Sequence, residues 1–136
     1  MKVQEPKMQT TVITKILLLS LGLLVTGSAW AEWVKVSKGD MATYIDQDTI
    51  RQDGNLRKVW ELRDFKQRDK DGSMSVRTRS EYDCKGERYR FLSASEHSEP
   101  MAGGVTLRRS QYNDDEWQHV PPGSVGDIVM KIVCAK

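Results

Sequence analysis

Trp117-Gln118-His119-Val120-Pro121-Pro122-Gly123-Ser124-Val125-Gly126-Asp127-Ile128-Val129-Met130-Lys131-Ile132-Val133-Cys134 is the stretch whose reading decides the fold. Proline has no amide proton to give to a sheet ladder, so a strand ends before Pro121 and Pro122. Gly123 lets the chain turn, and Ser124 is a good N-cap. Asp127 follows at a capping-box-like spacing, where a carboxylate meets the positive end of the helix dipole. Val125, Ile128, Val129, Ile132 and Val133 then repeat at i, i+3, i+4, i+7 and i+8, which is one apolar helical face. The spacing predicts a short amphipathic C-terminal helix that docks on a sheet and is tied down by Cys134.

Upstream, the pattern changes to a period of two. Ser75 to Cys84 alternates strictly, with Val76, Thr78, Ser80, Tyr82 and Cys84 on one face and Arg77, Arg79, Glu81 and Asp83 on the other. That is a half-buried strand with Cys84 on the core side. Lys85-Gly86 is a tight turn. Glu87 to Ser95 is the partner strand, with Tyr89 and Phe91 opposite in sense to Arg88 and Arg90, so the two form an antiparallel hairpin. Leu56 to Lys66 reads as a long strand after the Asp53-Gly54 turn signal, since a helix groups its apolar residues less well. Glu32 to Val36 and Thr43 to Asp46 are short strands separated by the Ser37-Lys38-Gly39-Asp40 turn, and Gln47-Asp48 leads on to Thr49-Ile50-Arg51. Glu96 to Gly104 is expected to be a loop, Val105 to Gln111 a further strand and Tyr112 to Glu116 an acidic turn. The expected class is α+β: an antiparallel sheet of about six strands with the C-terminal helix packed on one face and one disulfide.

The first segment stands apart from this domain. Lys2, Lys7 and Lys15 precede the apolar run Ile16 to Val25, and Ala29-Trp30-Ala31 closes it. A basic region, a short apolar core and an A-x-A site make a secretory signal peptide over residues 1–31, leaving a mature domain of residues 32–136. The competing reading, an uncleaved anchor, needs roughly 20 apolar residues, and this run is about half that. Ser28 stands where a lipobox would place cysteine, so no lipid anchor is expected. The chain has 21 Lys and Arg against 19 Asp and Glu, and the leader takes Lys2, Lys7, Lys15 and Glu5 with it, leaving 18 of each. The balance gives no case for nucleic acid as a partner. Cys84 and Cys134 both lie in the exported part. An isolated pair in an oxidising compartment forms a disulfide. The alternative, a redox or metal pair, lacks a C-x-x-C, and only His97 and His119 are available beside it.

Little here marks chemistry. None of Ser95, Ser98, Ser110 and Ser124 sits in a G-x-S-x-G elbow, and neither histidine has a partner at catalytic spacing, so no enzyme is expected. Asp46-x-Asp48 and Asp69-x-Asp71-Gly72 are incomplete as calcium loops, and Asp114-Asp115-Glu116 reads as a solvated acidic turn, so no metal or other cofactor is implied. Trp33, Trp60 and Trp117 are expected to be core residues rather than a sugar platform. The arginines are more informative. Arg77 and Arg79 share a face of one strand, and Arg88 and Arg90 share a face of the next. Together they are a candidate patch for an anionic ligand, extended by Arg108 and Arg109. The competing reading pairs them across strands with Glu81, Asp83 and Glu87.

The ordered set Trp33-Val34, Tyr44-Ile45-Asp46, Thr49-Ile50, Val59-Trp60-x-Leu62-x-Asp64, Glu81-Tyr82-Asp83-Cys84, Trp117-x-x-Val120-x-Pro122-Gly123-Ser124 and Cys134 resembles the surface-adhesin protein E-like family of Gram-negative bacteria. The resemblance spans essentially the whole mature chain. It implies a single antiparallel sheet with a C-terminal helix joined to it by a disulfide. It also implies an outer-membrane lipoprotein that binds host matrix and plasma proteins such as vitronectin, laminin and plasminogen, and a homodimer. The missing lipobox cysteine departs from that pattern. Two functions follow as expectations. One is an exported, non-enzymatic binding module for a host protein or an anionic polymer. The other is a periplasmic accessory or structural protein of the cell envelope. The location is accordingly periplasmic, or at the cell surface and beyond.

Overall fold

The computed structural model describes residues 31–37, 39–113 and 116–136. Residues 1–30 of the leader read over 1–31, together with Lys38, Asp114 and Asp115, lie outside them. The described strands are β1 (Trp33–Lys35), β2 (Met41–Asp53), β3 (Leu56–Phe65), β4 (Ser75–Asp83), β5 (Arg88–Glu99), β6 (Gly103–Gln111) and β7 (Gln118–His119), followed by helix α1 (Val125–Cys134). Strands β1 to β6 form one antiparallel meander in chain order. The short β7 lies beside β5, pairing His119 with Arg88 and Gln118 with Tyr89. This is the α+β sheet-and-helix architecture read from the sequence, with β7 as a small addition.

The helix forms where the sequence places it. Ser124 is the N-cap, and its Oγ accepts a hydrogen bond from the Asp127 amide at 3.1 Å. Asp127 reaches back to accept from the Gly123 amide at 2.9 Å, and Lys131 one turn on donates to the same carboxylate at 2.9 Å. Gly123 sits at φ 75°, a left-handed backbone that suits glycine at this corner. The Gly123 amide first, and Lys131 next, hold the Asp127 carboxyl below its ordinary range. One part of the expected apolar stripe is corrected. Val129 and Val133 are fully buried, but Val125 and Ile128 are 38 % and 40 % exposed. A ten-residue helix lying flat on a sheet buries a narrower stripe than its hydrophobic periodicity offers.

The core is small and lies between α1 and one sheet face. Ile45 of β2, Val59 of β3 and Tyr82 of β4 meet Val120, Val129 and Val133. The Tyr82 hydroxyl donates to Glu61 at 2.8 Å, so this buried carboxylate has a partner. Burial, then the Glu61 charge, pushes the Tyr82 phenol far above its ordinary value. The Cys84–Cys134 disulfide joins the end of β4 to the end of α1 with Cα atoms 5.8 Å apart. Arg57 adds a further tie, donating from Nε to the Lys136 carbonyl at 3.0 Å.

Three strand boundaries differ from expectation. The two short pieces around Gln47-Asp48 are one strand, β2, with a bulge between Asp46 and Arg51. The Thr49 hydroxyl accepts from the Trp60 amide at 3.1 Å, replacing the ladder bond that the bulge removes. Residues 96–99, expected in a loop, continue β5. The turn into β6 is confined to Pro100, Met101 and Ala102. Met101 and Ala102 both have φ 57°, a left-handed conformation that neither residue favours. Asp64 Oδ1 and Ser75 Oγ accept from their amides and hold the turn. Pro100 and the Gly103-Gly104 pair mark a turn here, but Met101 and Ala102 do not mark its left-handed corner. Finally, the arginine side of β4 is not a solvated face, because Glu81 and Asp83 are buried there too.

The disulfide closes a loop with a sequence separation of 50 residues. Chain entropy then predicts that Cys84→Ser, Cys134→Ser and the double variant each lose about 4 kcal/mol of unfolding free energy. Urea unfolding of the three variants should give one common loss. Two titratable thiols in the native exported protein would contradict the bridge.

Candidate functional site

Residues opposed in an antiparallel register share a face, so the pairing maps the side of the sheet that α1 leaves uncovered. Three cross-strand rows organise it. Arg51, Lys58, Glu81 and Arg90 form one, Asp46, Trp60, Arg79, Ser93 and Gln111 the next, and Tyr44, Leu62, Arg77, Ser95 and Arg109 the third. The four arginines picked out in the sequence, Arg77, Arg79, Arg88 and Arg90, all fall on this face. They do not form one patch.

Arg88 and Arg90 belong to an ion-paired half. Arg90 binds Glu81 through Nε at 2.8 Å and through Nη2 at 2.7 Å, and Lys58 approaches the other carboxylate oxygen at 3.5 Å. Glu81 is 2 % exposed, so this carboxylate depends on those cations for its solvation. Arg88 Nε binds Asp83 at 2.9 Å. The Gly86 amide first, and Arg88 next, hold the Asp83 carboxyl below its ordinary range. Trp117 covers both guanidinium groups, with its ring centroid 4.7 Å from Arg88 and 4.6 Å from Arg90. Here the cross-strand pairing reading is correct, and Trp117 packs on charge rather than in the apolar core.

Arg77 and Arg79 belong to the other half. The Arg77 guanidinium lies 4.1 Å from the Trp60 ring centroid and that of Arg79 lies 6.0 Å from it. Neither they nor Arg109 makes a salt bridge among the described residues. Nε of Arg77 is buried without a hydrogen-bond partner there. Arg108, by contrast, is taken up by Glu96 at 2.6 Å. A groove of about 220 Å³ opens between Trp60, Arg77, Ser95, His97, Arg109 and Gln111. Within it Ser95 Oγ and His97 Nε2 are 2.9 Å apart. Burial, then Arg77 and Arg109, holds the His97 imidazole below its ordinary pKa. Two larger hollows lie at loops. The one beside Asp40 and Lys66, about 400 Å³, has those two charges paired at 3.0 Å, and the other, about 560 Å³, adjoins Asp83, already bound to Arg88.

The remaining sequence candidates have local roles. Asp46 accepts from the Asp48 amide at 3.2 Å, and Asp69 accepts from the Asp71 and Ser73 amides at 2.9 and 2.7 Å. Asp46 thus shapes the β2 bulge and Asp69 the loop before β4. Ser98 Oγ accepts from the Val105 amide at 2.9 Å, and His119 is exposed on β7. Among the described residues no three metal-ligating side chains cluster.

A model of the family described as surface-adhesin protein E matches residues 33–135. The chain belongs to this family. It is an adhesin-like module by membership, in a family of surface adhesins and not of enzymes, and membership implies an exported surface protein. Solved structures of protein E from Haemophilus influenzae share the fold. Crystal form II aligns with a TM-score of 0.59 at 15 % identity, covering 78 % of this chain and 89 % of that one. The selenomethionine form gives 0.60 at 15 %, covering 78 % and 88 %. Protein E from a non-typeable strain gives 0.53 at 15 %, covering 80 % and 79 %. No curated protein matches significantly.

The sequence reading added Arg109 to the patch of Arg77, but it did not bring Ser95, His97 and Gln111 there. Strict alternation along β5 puts Ser93, Ser95 and His97 on the core side with Tyr89 and Phe91. The register shifts between Arg79 and Ser80, where Ser93 and Phe91 are the successive partners and Leu92 is the extra residue. That single bulge turns Ser93, Ser95 and His97 over to the arginine side.

A histidine with a depressed native pKa favours the fold above the ordinary value of 6.5 and loses that contribution as pH falls through the native midpoint. The expected NMR titration midpoint of His97 is therefore below 6.5, and Arg77→Gln raises it by removing a repelling charge. A wild-type midpoint at or above 6.5 would contradict the depression, and an unchanged midpoint in Arg77→Gln would show that Arg77 does not act on the ring.

Proposed function

We propose that the protein is an exported, non-enzymatic binding module that engages a host matrix or plasma protein, or an anionic polymer, through the helix-free face of its sheet. The observation that carries this reading is the division of the arginines. Arg88 and Arg90 are bound to Asp83 and Glu81, whereas Arg77, Arg79 and Arg109 have no acid partner among the described residues. Stacking on Trp60 holds Arg77 in place without neutralising it, which leaves a fixed positive charge on an open surface. Family membership supports the same reading.

A second reading, an accessory protein retained in the periplasm, draws on Ser28 in the place of a lipobox cysteine. Both readings include export by cleavage of residues 1–31. Protease shaving of intact cells separates them, since only a surface protein is cut.

The mature domain has balanced charge, so retention on an anionic matrix reports a local patch rather than net charge. Wild-type protein is expected to bind heparin at low salt and to elute as salt rises. Arg77→Glu combined with Arg79→Glu should send it to the flow-through. Wild-type protein in the flow-through at low salt would end the proposal that this face binds anions.

A further inference from the structure

The groove beside Trp60 is smaller than the pockets of about 300–1,000 Å³ that enclose whole small-molecule ligands. At about 220 Å³ it has room for one unit of a longer chain. Its lining is also more specific than a charged surface. Arg77 on β4 and Arg109 on β6 flank Ser95 of β5 in one cross-strand row. Ser93 and Gln111 follow in the adjoining row, and His97 sits on the other side of Ser95, 2.9 Å from its hydroxyl. Two guanidinium groups, two hydroxyls, an amide and an imidazole converge on one site, and no carboxylate lines it.

We propose that this groove is a subsite for one acidic sugar unit of a glycan, with Arg77 and Arg109 holding its carboxylate or sulfate and Ser93, Ser95 and Gln111 reading its ring hydroxyls. The inference rests on the reading of this face as the binding face and names what it takes. An acidic peptide side chain satisfies the arginines as well. It leaves the hydroxyl and amide groups unused, and a buried or half-buried polar group left without a partner costs affinity. A sugar ring carries donors and acceptors around its whole edge and uses the full set. Trp60 acts by fixing the Arg77 guanidinium, 4.1 Å from its ring. That fixed plane presents paired N–H groups to an oxyanion with little ordering left to do. Exposed Arg79, in the row of Ser93 and Gln111, lies where the next unit of the chain passes.

The test is an NMR titration of the exported protein with a heparin-derived tetrasaccharide, a hyaluronan tetrasaccharide and tetraglutamate at one ionic strength. Saturable shifts of the Ser93, Ser95, His97 and Gln111 amides are expected with an acidic tetrasaccharide. Shifts with both sugars assign the anchor to the carboxylate, and shifts with the heparin fragment alone assign it to sulfate. Ser95→Ala combined with Gln111→Ala alters no charge and should weaken that binding about tenfold while leaving retention on a heparin column in place. The inference is overturned by an absence of saturable shifts, by equal binding of tetraglutamate, or by wild-type affinity in the double variant. Column retention kept without groove shifts sinks the saccharide subsite alone. Loss of both removes the broader reading with it.

Discussion

Docking of α1 on one face of the sheet is the contact on which the rest of the structure depends. Val129 and Val133 press onto Ile45, Val59 and Tyr82, and few other buried apolar side chains exist in the described domain. A domain of this size buries a modest fraction of its surface, so a covalent tie has unusual leverage. The Cys84–Cys134 bridge supplies it at the far end of the helix, and the Ser124–Asp127 cap fixes the near end. Both ends of a short helix are thus held, and the helix has little freedom to lift from the sheet.

One apolar face is used up by the helix, so the other face is stabilised by different means. Polar and charged side chains cover it in rows, and aromatic rings lie over the cations. Trp117 spans Arg88 and Arg90, whose charges are bound to Asp83 and Glu81. Trp60 lies against Arg77, which makes no ion pair among the described residues, and Asp46 stands opposite Trp60 in its row, where it accepts from the Asp48 amide. The two tryptophan clusters look alike in composition. They differ in charge balance, and that difference separates a structural half of the face from a half with charge to offer. The groove belongs to the second half.

Two of the sheet's register shifts matter most for this arrangement. In β2 the bulge between Asp46 and Arg51 is closed by Thr49, which restores a bond to the Trp60 backbone. The position of the Trp60 ring therefore depends on a hydroxyl in a neighbouring strand. In β5 the extra residue Leu92 sends two aromatics to the core side and then two serines and a histidine to the opposite side. One i, i+2 series thereby serves first one face and then the other, which an unbroken period of two does not allow.

The sequence by itself determined the elements whose signals are local. The Pro121 to Ser124 corner, the helix after it, the Gly54 turn and the alternation of β4 are legible because each depends on neighbours within a few residues. The cysteine pair is legible because two thiols exported together have few other fates. The tertiary structure alone decided where the arginine charges go. Arg88 and Arg90 match Asp83 and Glu81 only through the exact pairing of β4 with β5, and Arg109 meets Arg77 only because β5 runs on to Glu99 and carries β6 beside it. A bulge moves every later side chain to the other face for the cost of one unpaired residue, and Leu92 has no composition that announces it. The groove is a product of register, and register is a property of paired strands rather than of any one of them.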